Sequence, residues 1–272
     1  MDLSLGLAGA HVVVTGAAGH IGTAVVIAFL AAGCRISALD IREPEITSQA
    51  ENVQWHLVDI TDEAAVDKAW NAACSQWGPV STCVAVAGVD LSYLPHHSSI
   101  CEMELGQWQR TNKVNGDGTF LTARAWLRGV KAQADTGLRN VSLIIIGSEA
   151  GVFGVTGNAD YSASKAAIQY GLVKSLMKDA VAINSRARVN AIAPGAVHTE
   201  QFDKECAEDP SMLWVESQAT VAMKAPVPID QVAKCCLFLA SESWSGSITG
   251  QVVQVDGGKS GRLFWGQDES SV

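Results

Sequence analysis

No stretch of this sequence is long and apolar enough to cross a bilayer. The longest clearly apolar run, Ala24 to Ala32, spans nine residues, where a membrane helix needs about 20. Basic residues are scarce, 19 Lys and Arg against 28 Asp and Glu, for a net charge of −9. An acidic chain offers no basic stripe to nucleic acid and is repelled by anionic membrane surfaces. The expected partner is therefore a small molecule, with neither nucleic acid nor membrane. The opening Met1-Asp2-Leu3-Ser4-Leu5 lacks a basic n-region and a cleavage pattern, so no secretory leader is expected and a cytoplasmic location is. Seven cysteines form no C-x-x-C pair, and Cys235 and Cys236 are adjacent. They read as buried thiols in a reducing compartment. The six histidines show no H-E-x-x-H, and His96 and His97 point apart on any regular element, so no metal site is expected.

Charged residues are few as well, 17% against 48% apolar, which excludes disorder as the dominant state. Neither a linker, a charge block nor an internal repeat divides the chain. One domain over residues 1–272 is expected, with its core at about 7–258 and a tail at 259–272 that is polar except for Leu263-Phe264-Trp265.

What is present is a rhythm of strand and helix. Val12-Val13-Val14, Arg35 to Asp40, Val53 to Val58, Thr82 to Val86, Leu143 to Ile146, Val189 to Ala193 and Gln251 to Val255 read as strands. Between them His20 to Ala32, a stretch opening at Thr61-Asp62-Glu63 with Thr61 as its cap, Trp108 to Ala134, Tyr161 to Ile183 and Ile229 to Ala240 read as helices. Such alternation specifies an α/β, doubly wound, single Rossmann-type domain: a central parallel sheet of about seven strands flanked by helices. Val89 to Leu105 and Ala196 to Pro228 are the least regular stretches, and Glu200 to Pro228 carries no strong cap or strand pattern. It is expected to be a lid that orders on ligand binding.

Between the first strand and first helix stands Thr15-Gly16-Ala17-Ala18-Gly19-His20-Ile21-Gly22. Glycines there let the chain turn sharply and let an anion reach the helix N-terminus, where unpaired N–H groups favour a pyrophosphate. A glycine cluster alone is also a plain tight turn, and the flanking strand and helix make the difference. Asp40 closes the second strand. An acid at that place can bond a ribose 2′-hydroxyl and repels a 2′-phosphate, which favours NAD(H), while Arg42 leaves NADP(H) open. Asp59, after the third strand, is a candidate for the adenine amino group.

Tyr161-Ser-Ala-Ser-Lys165 sets a phenol and an ammonium four residues apart on one helical face. A free phenol titrates near pH ~10. A neighbouring cation favours its anion, and a shift of about 3 units needs roughly 4 kcal/mol. A phenol so tuned is a general acid/base at neutral pH. Ser148 follows Gly147 at the carboxyl end of a buried strand, where its hydroxyl faces the ligand crevice.

In this combination the chain resembles the short-chain dehydrogenase/reductase family, from about Leu7 to Gly258. The pieces stand in family order: Thr15-Gly16-x-x-x-His20-Ile21-Gly22, Asp40, Asp59, Ala87-Gly88, Asn115-Gly116-x-Gly118, Gly147-Ser148, Tyr161-x-x-x-Lys165, Asn190 to Thr199, Ile248-Thr249-Gly250 and Asp256-Gly257-Gly258. The resemblance implies a catalytic set of Asn115, Ser148, Tyr161 and Lys165. Tyr161 would move the proton, Lys165 would lower its pKa and bind the nicotinamide ribose, Ser148 would bond the reacting oxygen, and Asn115 would hold a relay water. It implies dinucleotide contacts from Gly16, Gly19, His20, Ile21, Gly22, Asp40, Ile41, Asp59, Ile60, Ala87, Gly88, Pro194, Gly195, Val197 and Thr199, besides Tyr161 and Lys165. One departure stands out: Ala85-Val86-Ala87-Gly88 replaces the usual Asn-Asn-Ala-Gly.

The activity so implied is NAD(H)-dependent interconversion of a secondary alcohol and a ketone. Val89, Val152, Phe153, Val155, Val197, Phe202, Met212, Leu213, Trp214 and Met223 suggest an apolar wall and a hydrophobic, cyclic substrate. Asp90 and Glu149 are the polar groups placed to recognise a substrate. Rival readings are a scaffold repurposed for isomerisation, dehydration or cyclisation, an NADPH-dependent reductase, and a non-catalytic dinucleotide sensor. The family pairs the helices at Gly116 to Ala134 and Ala163 to Ile183 across subunits, so a homodimer or homotetramer is expected.

Overall fold

The computed structural model describes residues 3–43, 51–90, 99–133 and 137–266. Residues 1–2, His96 and His97, Ala134 and residues 267–272 of the tail lie outside them.

Strand β1 (His11–Thr15) leads through the glycine turn into α1 (His20–Ala31), followed by β2 (Arg35–Asp40), β3 (Val53–Leu57), α2 (Glu63–Trp77) and β4 (Thr82–Ala85). Helices α3 (Leu105–Asn112) and α4 (Thr119–Ala132) flank a π-helical segment, Lys113–Gly118. After β5 (Ser142–Ile146) come α5 (Ala150–Phe153), α6 (Ala159–Ala166), a second π segment Ala167–Leu172, α7 (Val173–Ile183) and β6 (Arg188–Pro194). The chain then runs through β7 (Val197–His198), α8 (Glu200–Glu208), α9 (Ser211–Ser217), β8 (Val227–Pro228), α10 (Ile229–Ala240), α11 (Glu242–Ser245) and β9 (Val252–Val255).

Seven strands form one sheet in the order β3-β2-β1-β4-β5-β6-β9, and every pairing is parallel. The order reverses between β1 and β4, so the carboxyl ends of those strands open a crevice, the place where doubly wound sheets take ligands. Successive side chains on a strand face opposite ways. Leu143 and Ile145 of β5 join Val13, Trp70, Cys83 and Trp126 in one core. Ile144 and Ile146 join Val12, Val14, Phe29, Val84 and Leu239 in the other. Both faces are covered, which is why β5 is apolar at four consecutive positions rather than alternating. Helix α1 packs beside α10 over one core, and α2 packs beside α4 over the other.

Two local readings need correction. The cap of α2 is Asp62, whose Oδ1 accepts the N–H groups of Ala64 at 2.9 Å and Ala65 at 3.1 Å. Thr61 is one residue early, its N–H held by Asp59 Oδ1 at 2.8 Å, and the carboxylate is the stronger acceptor. The stretch 196–228, expected to be irregular, holds two helices and the parallel pair β7·β8. Thr199 opens α8 by accepting the N–H of Phe202 at 3.1 Å. No helix among the described residues is long and apolar enough to cross a membrane.

Candidate active site

The turn after β1 is built by close approach. Gly16 has φ +65°, and a Cβ there would stand 2.7 Å from the backbone of Ala87; one on Gly22 would stand 2.0 Å from the carbonyl oxygen of Gly16. Only glycine fits either place. Gly19 donates its N–H to Gly16 O at 3.1 Å, and His20, Ile21 and Gly22 form the first turn of α1, whose leading N–H groups have no partner within the helix. Ala87 N–H donates to Thr15 Oγ1 at 3.3 Å, tying the ends of β1 and β4 together.

Asp40 is buried at the end of β2. Its Oδ2 accepts the N–H of Ala18 at 2.9 Å and its Oδ1 that of Arg42 at 2.9 Å. Arg42 Nε lies 3.5 Å from the same carboxylate, and its Nη2 would be 3.8 Å from a Cβ on Gly19. An acid and a cation thus share the turn. Ile41 beside them is exposed. Asp59 is exposed at the end of β3, whereas Ile60 is buried and fills the space a Cβ on Gly118 would need.

Ser148, Tyr161, Lys165 and Asn115 converge at the carboxyl ends of β4 and β5. Lys165 is buried, and its Nζ donates to Ile146 O at 2.9 Å. That Nζ stands 5.5 Å from the centre of the Tyr161 ring. A Cβ on Gly88 would meet Asn115 Oδ1 at 3.1 Å and Lys165 Nζ at 3.2 Å. Asn115 lies in the first π segment, a geometry frequent at functional sites. Its Oδ1 accepts Val89 N–H at 2.8 Å, and its Nδ2 donates to Val89 O at 2.9 Å and Ser164 Oγ at 3.0 Å.

The electrostatics differ from the sequence expectation. In the protein alone the Tyr161 phenol is held above its usual range and not below it. Burial pushes the phenol above its usual range, the charge of Asp90 adds to this, a hydrogen bond with Ser148 opposes it, and Glu149 adds a smaller push upward. Burial also lowers the Lys165 ammonium to about 8, with Asp90 pulling the other way. The reason is that two carboxylates flank a poorly hydrated ring, and a desolvated ammonium pays its own penalty.

On the nicotinamide side of the implied cleft, Pro194 O accepts the N–H of Glu149 at 2.9 Å and Gly195 N–H donates to Val255 O at 3.0 Å. Phe153, Val155, Leu213 and Met223 are exposed apolar side chains on the flanking segments, while Phe202 is the buried residue of α8. Ala85 and Val86, standing where the family has amides, pack into the two opposite cores, which accounts for the departure.

One residue escaped the sequence reading altogether. Gln169, from the second π segment, accepts the N–H of Ser148 at 2.9 Å and is fully buried. Its position four residues after Lys165, on the same helical face, was the available signal. Among the described residues no group of three or more His, Cys, Asp or Glu is placed to hold a metal ion.

Residues 16–260 match the family model described as Enoyl-(Acyl carrier protein) reductase. The chain is 28% identical over 263 residues to the 3-oxoacyl-[acyl-carrier-protein] reductase FabG of Thermotoga maritima, covering 93% of this chain and 98% of the relative. It is 29% identical over 256 residues to the cis-4-hydroxycyclohexanecarboxylate dehydrogenase of Sinomonas cyclohexanicum, covering 90% and 94%. The crystal structure of gox2181 superposes with a TM-score of 0.83 at 28% identity, covering 94% and 97%. The same fold recurs in a Leptospira borgpetersenii short chain dehydrogenase with bound NAD+, at 22% identity and TM-score 0.80, and in ElxO with NADP bound, at 24% and 0.82. The chain belongs to the short-chain dehydrogenase/reductase family of oxidoreductases.

Proposed function

We propose that the protein is an NAD(H)-dependent oxidoreductase that interconverts a secondary alcohol and a ketone on a hydrophobic, cyclic substrate. The convergence of Ser148, Tyr161 and Lys165 beside Gly88, at the switch point of the sheet, carries this reading. The residues present fit a dinucleotide. Gly16 and Gly22 let the turn close tightly against Ala87 and against itself, α1 offers unpaired N–H groups beside it, and Asp40 stands at the strand end where ribose hydroxyls bind. The dinucleotide, when bound, supplies the hydride and, when oxidised, a positive charge.

Ser148 and Tyr161 orient the reacting oxygen, and Tyr161 takes or returns its proton. Lys165 binds the ribose hydroxyls and faces the phenol with its charge. Asn115 holds the relay water beside Lys165. Pro194, Gly195, Val197 and Thr199 flank the reacting ring. Because burial, and after it Asp90 and Glu149, push the phenol upward, the positive charges of Lys165 and the oxidised ring must together outweigh all three before Tyr161 acts as a base near neutrality.

The exposed apolar side chains Phe153, Val155, Leu213 and Met223 support an apolar substrate; the Sinomonas relative, named for a hydroxycyclohexane that also carries a carboxylate, supports the ring and the secondary alcohol only. A second reading, NADPH as cofactor, is favoured by Arg42, whose guanidinium reaches the glycine turn. Tyr161→Phe is expected to cut turnover roughly a thousand-fold while leaving dinucleotide binding, read by tryptophan fluorescence, nearly intact. Retained turnover in that variant overturns the acid/base assignment. A panel of cyclic alcohols and ketones, followed by cofactor absorbance, tests the substrate class, and turnover of small charged acids alone contradicts it.

A further inference from the structure

Glu149 directly follows Ser148. Its carboxyl is buried, with the side chain 10% exposed, and its Oε1 accepts from Lys259 Nζ at 2.6 Å. Its Oε2 is buried without a hydrogen-bond partner and lies 3.1 Å from where a Cβ on Gly195 would stand. The charged and titratable groups facing it are Lys259, Glu216 on α9, Asp256 after β9 and Tyr161 on α6. Glu149 therefore feels two further carboxyl groups against one ammonium, which also donates to the Glu216 backbone carbonyl at 3.4 Å. A buried pair with an unmet oxygen is a poor source of stability, which directs attention to what else the pair does.

Lys259 does not stand alone. It belongs to a strap in which Val221 and Lys259 form an antiparallel bridge. Ser260 N–H donates to Thr220 O at 2.9 Å, and Phe264 N–H donates to Ala219 O at 2.8 Å. Trp265 Nε1 donates to Val221 O at 3.1 Å, and Lys224 Nζ lies 3.7 Å from the Trp265 ring centre. Residues 257–265 thus bind residues 219–224, which follow α9. Lys259 then pins that assembly to the residue next to the candidate catalytic serine.

We propose that Glu149 and Lys259 are a positioning pair: Lys259 fastens the C-terminal strap and the α9 flap to the serine loop, and the charge Glu149 keeps is felt by Tyr161. This rests on the reading of Tyr161 as the acid/base. Burial pushes the Glu149 carboxyl up to about 7 against the pull of Lys259, so its charge changes across the neutral range. The sign follows from Coulomb's law. Anionic Glu149 opposes a phenolate nearby, and neutral Glu149 does not. The other groups facing Tyr161 are Asp90, Ser148 and Lys165.

Two variants test the pair. Glu149→Gln keeps the shape and removes the charge, so the acid limb of the pH profile for alcohol oxidation, where Tyr161 must lose its proton, should move to lower pH by about half a unit. Lys259→Met frees the strap. In the free protein, hydrogen exchange over 219–224 and 257–265 should quicken by roughly ten-fold, and the KM for substrate should rise more than kcat falls. Lys259→Arg should restore both. If Glu149→Gln does not fold, the limb is read in Lys259→Met, where loss of the ammonium leaves Glu149 neutral and moves the limb the same way. An unmoved limb, or exchange in Lys259→Met equal to that of the parent, overturns the proposal. Turnover surviving in Tyr161→Phe sinks the acid/base reading instead, while the exchange measurement, which needs no turnover, still judges the strap.

Discussion

Asp40 and Arg42 pull cofactor choice in opposite directions from neighbouring positions. Asp40 is buried and fixed by the Ala18 and Arg42 N–H groups, so its charge is strongly felt, whereas Arg42 is 62% exposed and screened by solvent. The acid should win. Asp40→Ala is expected to weaken NAD+ binding roughly ten-fold and to narrow the gap to NADP+, and Arg42→Ala to weaken NADP+ more than NAD+, both read as dissociation constants. A preference unchanged in Asp40→Ala would remove this residue from the account. Lys165 makes a second single-residue case. Burial lowers its ammonium from the ordinary 10.5 to about 8, so between these values the unfolded chain binds more protons than the folded one. Stability contributed by this group therefore rises as pH climbs from about 8 toward 10.5. Denaturation of Lys165→Met should lack that rise, a difference of about 1–3 kcal/mol over the window.

At the scale of elements, the second π segment acts as a support for the serine loop. Gln169 reaches beneath it, and the loop makes room with two glycines. A Cβ on Gly147 would stand 2.1 Å from Gln169 Oε1, and one on Gly151 would stand 2.8 Å from its Nε2. Gly147→Ala must displace Gln169 and release the Ser148 N–H, so kcat is expected to drop on the order of a hundred-fold with dinucleotide affinity little changed. A single-turnover measurement that showed normal chemistry would contradict this. The contrast with what could be read from sequence is instructive. The strands from β1 to β6 were legible because each carries an apolar run or, in β3, apolar residues at alternate positions, and Tyr161 and Lys165 because helical spacing alone sets them on one face. The flap was not legible: α8 is short and mostly polar, α9 is only seven residues long, and the segment that follows α9 is held by contacts with a strap some 40 residues away in the chain. The Glu149–Lys259 pair joins residues 110 apart, and no local pattern encodes such a meeting. The direction of the Tyr161 shift was missed for the same reason, since the ring is buried, and Asp90 and Glu149 are brought near it, only on folding.

At the scale of the whole molecule, one surface asks for a partner. Phe120 on α4, Tyr170 on the second π segment and Val181 on α7 are each at least 40% exposed, although α4 and α7 touch each other and the two π segments are in contact. Large exposed apolar side chains on adjoining helices are the kind of surface that association covers, and two copies meeting through the same face close as a symmetric dimer. The same helices continue directly into the catalytic ones. Tyr161 and Lys165 on α6 run through the second π segment into α7, and Asn115 lies in the segment that leads to α4. Covering this face in a dimer would therefore stiffen the elements that carry Tyr161, Lys165 and Asn115. The protein is expected to sediment as a dimer or tetramer at micromolar concentration. Phe120→Lys combined with Tyr170→Lys should shift it to a monomer that still melts cooperatively and binds NAD+, with kcat lowered roughly ten-fold because the catalytic helices lose their backing. A parent protein that sediments as a monomer would remove the oligomer. A monomeric double variant with full turnover would leave the oligomer standing but break its link to catalysis, so the two measurements together separate association from its consequence.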